Sequence, residues 1–142
     1  MDSQKEKLIL QTRQFGEIEI DDDSIYNFPN GILGFEEIKK YVLISEEETA
    51  PFKWLISIDE PSIGFPLLSP FYLDLEYNIG KNIDLEKYVL FAIITLNDEN
   101  GNISANLKAP LVFDIENMTA EQIILPFEKY STNFVISQRS KE

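Results

Sequence analysis

Val89-Leu90-Phe91-Ala92-Ile93-Ile94-Thr95-Leu96-Asn97-Asp98-Glu99-Asn100-Gly101-Asn102-Ile103-Ser104-Ala105-Asn106-Leu107 joins two apolar runs through a polar turn. The first run, even extended back to Tyr88, is far short of the ~20 residues a membrane helix needs. Its branched and aromatic content suits a buried strand, and Asn100-Gly101 between two such runs is a strong hairpin signal. The stretch therefore predicts an antiparallel hairpin whose first arm, Val89 to Leu96, is a central strand.

Similar segments recur at short intervals on both sides, which predicts an all-β domain. Downstream, Leu111–Ile115 and Ala120–Leu125 flank a turn at residues 116–119. Upstream, Phe65-Pro66-Leu67-Leu68-Ser69-Pro70 reads as a short edge strand, because proline cannot donate to a ladder. Phe52, Trp54, Ile56 and Ile58 alternate on one strand face, which puts the lone tryptophan in the core or at its rim. Val42–Ser45 is extended. Leu8–Thr12 and Gly16–Ile20 form a first pair, with Ile18 and Ile20 alternating with acids and Asp21-Asp22-Asp23 ending the second strand. Leu73, Leu75 and Tyr77 also alternate, and Asn82 to Tyr88 could cap and open a short helix.

A corner interrupts this pattern at Phe28-Pro29-Asn30-Gly31-Ile32-Leu33-Gly34-Phe35-Glu36. Pro29 fixes φ on the approach, Asn30-Gly31 favours a turn, and Gly34 permits a second unusual backbone angle. Phe35, Ile38 and Tyr41 then fall at helical spacing and predict one short helical turn. The fold expectation is a small antiparallel β-barrel-like single domain with one or two short helical turns, its core about 8–125 and its tails less ordered.

The chain has 142 residues, enough for one core, and 44% hydrophobic residues, which a disordered chain lacks. Its start has no apolar signal core, so a cytoplasmic protein is expected. With no cysteine and no histidine it lacks thiolate nucleophiles, Cys- or His-built zinc sites and the usual general base near neutral pH. No cofactor is expected. A carboxylate-only glycosidase is a competing reading, but a chain this short offers little length for a substrate cleft. The formal charge of −13 repels phosphate backbones and anionic lipids and suits a basic partner. It also disfavours an RNA-binding barrel, for which basic residues interleaved with exposed aromatics are missing.

Other motifs fail on spacing. Asn97 to Gly101 resembles a calcium loop, but aligning Gly101 with the loop glycine puts Leu96 at the first ligand position and Leu107 at the bidentate one. Gly31, Gly34 and Gly64 make no phosphate-cradling loop. The runs at residues 21–23 and 46–48 read as solvated loops.

Five segments in order, Gln11–Ile18, Phe28–Glu36, Pro51–Ser57, Phe65-Pro66 with Ser69-Pro70-Phe71, and Ser104–Pro110, resemble the flagellar assembly factor FliW family along nearly the whole chain. The resemblance implies a non-enzymatic barrel-like protein, monomeric when free. It implies two protein partners, flagellin and the basic dimeric RNA-binding repressor CsrA, which the factor sequesters so that flagellin mRNA is translated. It also implies inhibition from a surface away from the repressor's RNA-binding face. The alternative is a β interaction module or flagellin chaperone with a different partner set. Among the residues, Asn106, Lys108 and Pro110 are the candidate protein contacts, since a polar amide, a cation and a proline interrupt apolar strands there. Equally, Asn106 could satisfy backbone groups at a bulge and Pro110 end a pairing.

Overall fold

A computed structural model describes residues 7–13, 15–80 and 83–137. Ten strands follow in chain order: β1 (Lys7–Thr12), β2 (Gly16–Asp21), β3 (Ile25–Asn27), β4 (Lys40–Ser45), β5 (Lys53–Ser57), β6 (Gly64–Leu68), β7 (Tyr88–Thr95), β8 (Ile103–Asp114), β9 (Thr119–Gln122) and β10 (Phe134–Ser137). Three 3₁₀ turns, at Asp22–Ser24, Glu47–Thr49 and Pro70–Tyr72, are the helical content among the described residues.

Seven strands close into a barrel in the order β8, β7, β6, β5, β4, β3, β9 and back to β8. Every neighbouring pair is antiparallel except β3 with β9, whose parallel contact is the single pair Asn27 and Thr119. There the Asn27 N–H donates to the Met118 carbonyl at 2.9 Å. β10 adds to the first part of β8, and β1 pairs with β2 in a separate hairpin.

The hydrophobic runs of the central strands are buried on both faces, because successive side chains point to opposite sides. Inward, Phe28, Ile32, Tyr41, Leu55, Leu67, Phe91, Leu111 and Phe113 fill the barrel. Outward, Val42 on β4 and Ile56 on β5 are covered by Leu10 of β1 and Ile20 of β2. On the far side, Leu68, Leu90, Ala92, Ile94, Ala105 and Leu107 are covered by Tyr77, Ile79, Leu125 and Tyr130. Trp54 is half-buried, its ring edge-on to Phe15 at 5.5 Å and its indole N–H donating to Thr49 Oγ1 at 3.0 Å.

The β7–β8 hairpin is present, but its connection spans residues 96–102. Among the described residues outside glycine only Met118 has positive φ, so Asn100-Gly101 does not make the two-residue turn that needs positive φ at both positions. Instead Asp98 Oδ1 accepts the N–H groups of Asn100 and Asn102, both at 2.9 Å.

Several expectations are corrected. Phe35 to Tyr41 forms no helix: Ile32 and Phe35 close a tight turn, and Tyr41 lies within β4, where pairing with β3 and β5 overrides the local spacing. Residues 83–87 likewise form a turn, closed on the Asp84 carbonyl by the N–H groups of Lys87 and Tyr88; Asn82 lies outside the described residues. Leu73 to Tyr77 is no strand, and Leu75 is 88% exposed. β6 is not an edge strand, since it sits between β5 and β7. Its pairing with β7 begins only at Leu67, so Pro66 occupies a stretch with a ladder on one side alone. Packed structure also runs past Leu125, with Tyr130 buried and β10 paired.

The corner residues plug one region of the barrel. The Gly31 N–H donates to the Phe28 carbonyl at 2.9 Å, with Pro29 in the second position of the turn. Gly31 has φ +67 and passes so close to Glu36 that a Cβ would lie 2.6 Å from its Cα and carbonyl oxygen. Only glycine fits, and the result is that Phe28 and Ile32 both reach the barrel core.

Candidate protein-binding site

β8 begins with Ile103–Asn106 against β7 and β10, and ends with Leu111–Asp114 against β7 and β9. Between these halves the register with β7 jumps: Ile93 faces Asn106 and Phe91 faces Leu111, leaving residues 107–110 opposite Ala92 alone. This bulge holds all three residues singled out from the sequence. Asn106 Oδ1 accepts the N–H of Lys108 at 3.1 Å and of Ala109 at 2.9 Å. Lys108 is half-buried, and its Nζ donates to the Phe127 carbonyl at 3.3 Å. Pro110 is fully buried, and its carbonyl accepts from Ile123 N–H at 3.0 Å.

The bulge therefore acts as a fastening. The N–H groups of Leu107 and Lys108 donate to the Ser131 carbonyl, and the Lys108 carbonyl accepts from Leu125 N–H. Tyr77 Oη donates to the Leu107 carbonyl at 2.6 Å. Burial pushes the Tyr77 phenol well above its ordinary range, helped by the neighbouring Tyr130 and Asp74, so it stays a donor at any ordinary pH. Gln122 completes the tie, donating to the Ala109 carbonyl at 3.1 Å and accepting the Leu33 N–H of the barrel plug at 2.8 Å.

What the bulge fastens is the chain from β9 to Tyr130, and this chain borders a surface groove of about 480 Å³. Its lining includes Pro29, Ile79, Tyr88, Val112 and Ile123, with Asp114, Thr119 and Glu121 as polar neighbours. The Asn117 side-chain amide donates to Asp114 Oδ2 at 2.8 Å and holds that carboxyl below its ordinary range. Asn106, Lys108 and Pro110 do not line this groove; Pro110 fixes Ile123, which does, while Glu121 is held by pairing with Val112. The sequence offered little signal for it, because Ile123-Ile124-Leu125 reads as an ordinary core strand. The informative oddity is Ile124, which is 62% exposed beside the half-buried Ile123.

Among the described residues no group of three or more His, Cys, Asp or Glu side chains is placed to hold a metal ion, and no helix is long and apolar enough to cross a membrane.

The family model described as "FliW protein" matches residues 8–136, which takes in the barrel, both outer covers and the start of β10. The chain belongs to the FliW family. A flagellar assembly factor FliW from Clostridium tetani is 34% identical over 94% of this chain and 98% of its own length. One from Clostridium beijerinckii is 40% identical over 81% of this chain and 88% of its own. In three dimensions the chain is similar to a crystal structure of the flagellar assembly factor FliW, with a TM-score of 0.77 and 33% identity, over 89% of this chain and 95% of the other. The small β-barrel expected from the sequence is thus the fold of the family, and the family ties the chain to flagellum assembly.

Proposed function

We propose that the protein is a cytoplasmic, non-enzymatic partner switch. It binds newly made flagellin and, when flagellin is scarce, a CsrA-type RNA-binding repressor, freeing flagellin mRNA for translation. The observation that carries this reading is the family match over residues 8–136, which spans every element that builds the barrel and its bulge. The charge of −13 fits a basic partner, because opposite potentials speed encounter and exclude wrong partners. Affinity then comes from a few buried aliphatic or aromatic anchors.

Titration calorimetry with the organism's own flagellin and CsrA-type repressor, singly and in competition, tests the proposal. The expected outcome is saturable binding of both, with flagellin displacing the repressor. Binding of flagellin alone would reduce the protein to a chaperone, and binding of neither would point to a β module with another partner.

A further inference from the structure

We infer that the groove lined by Ile79, Ile83 and Tyr88 and by the outer face of β8–β9 is the docking site for the basic partner, and that it takes a short protein segment in which aliphatic or aromatic side chains stand next to Lys or Arg. The inference rests on the function proposed above and assigns it a surface.

The apolar lining of the groove includes Pro29, Ile79, Val112 and Ile123, while its charged members among the described residues are Asp114 and Glu121. Among the described residues no lysine or arginine lines it, and Lys87, close enough to act on Asp114, is itself paired with Glu116 at 3.8 Å. Asp114 is held ionised by its bonds to Asn117, and Glu121 is exposed on β9. An apolar lining beside carboxylates that outnumber the nearby cation Lys87 disfavours anions such as nucleic acid, but it matches a cationic segment with apolar anchors. Ile115 and Ile124, next in the chain to the lining residues Asp114 and Ile123, are 46% and 62% exposed. A small molecule would be poorly specified here, because the groove is open and its lining is mostly apolar. An extended protein segment can set apolar and cationic side chains along an open groove.

The groove is also built to be held still. Ile123 is fixed by its N–H bond to the Pro110 carbonyl, and Gln122 is tied to both Ala109 and Leu33. A preformed surface loses less freedom on binding than one that must order itself.

The test is the affinity and rates of the full-length protein for the purified repressor. It compares wild type with Glu121→Lys, with Val112→Thr, and with Glu47→Lys on the β4–β5 connection, across the barrel. Glu121→Lys is expected to weaken binding about tenfold or more, mainly through slower association. Val112→Thr, close in shape at a half-buried position and checked as folded by circular dichroism, is expected to weaken it several-fold through faster dissociation. Glu47→Lys, the same change of charge, should alter it less than about twofold. If wild type binds the repressor and both groove variants match Glu47→Lys, the groove assignment is wrong while the partner-switch reading stands. If the groove variants lose flagellin but keep the repressor, the basic-segment assignment is also overturned. If wild type binds neither protein, the functional reading falls and takes this inference with it.

Discussion

Inside the barrel, Phe28, Phe91 and Phe113 meet edge-to-face at 5.4 to 5.7 Å, and two of the three stand on long alternating strands. Outside it, Tyr77, Leu125 and Tyr130 cover β7 and β8 from stretches with no strand of their own. Both regions exclude water, but they are held differently. The interior is fixed by continuous backbone ladders, so its geometry follows from register. The outer layer is fixed by individual bonds outside any ladder, some backbone to backbone, such as Leu125 N–H to the Lys108 carbonyl, and others involving side chains, such as Tyr77 Oη to the Leu107 carbonyl and the Asn78 N–H to Tyr130 Oη at 2.8 Å. The interior should fail through lost volume and the outer layer through lost hydrogen bonds.

The largest effect is expected from Phe113→Ala. Its ring contacts Tyr26, Phe28 and Phe91, so truncation should cost about 3–5 kcal/mol in urea unfolding. A cost under about 2 kcal/mol would mean that the interior is not the tighter of the two regions. Asn106→Ala comes next. It strips an acceptor from the Lys108 and Ala109 N–H groups and should cost about 1–3 kcal/mol. The loss should appear in hydrogen exchange as faster exchange at residues 107–109 and 122–125, with the Leu67 and Phe91 amides unchanged; uniform acceleration would show that the two regions open as one.

The smallest effect belongs to Tyr41→Phe. Tyr41 Oη is buried inside the barrel with no hydrogen-bond partner, and burial pushes its phenol from the ordinary 10.0 up to about 12. Removing it should leave stability at neutral pH unchanged or raise it by up to about 1 kcal/mol. A raised folded-state pKa means that the folded protein keeps a proton the unfolded chain has released, so this group's stability is full below pH 10 and is lost as pH rises towards about 12. The variant should therefore unfold at higher pH than wild type in an alkaline titration followed by circular dichroism. An unmoved or lower midpoint would refute this.

The same contrast explains what could be read from the chain. Strand pairs with alternating or continuous apolar residues, such as Leu90 to Ile94, announce themselves because the pleat imposes a period of two. Helical spacing at Phe35, Ile38 and Tyr41 misled for a physical reason: Tyr41 is buried by pairing with partners far along the chain, which local spacing does not encode. Pro66 suggested an edge because a missing donor is costly in a full ladder, whereas here the second ladder simply starts one residue later. The bulge was half legible. Asn106 and Pro110 marked an irregularity, but that the Pro110 carbonyl meets Ile123 and the N–H groups of Leu107 and Lys108 meet Ser131 depends on segments brought in from elsewhere. The groove was the least legible, since its apolar lining includes residues 29, 79, 112 and 123, which share no local pattern.

Closure of the barrel also bears on how the molecule behaves in a crowded solution. A strand edge with unpaired N–H and carbonyl groups is a template for self-association, and a closed ring removes most such edges. Among the described strands, free edges are left on the β1–β2 hairpin and on β10. The hairpin carries charges along its length, with Lys7 paired to Glu19 at 3.3 Å and Glu17 bonded to Gln11. Phe134-Val135-Ile136-Ser137 carries none, and two of its apolar side chains are over one-third exposed. Like charge between whole molecules, at −13 each, supplies the colloidal repulsion that this strand's own sequence does not.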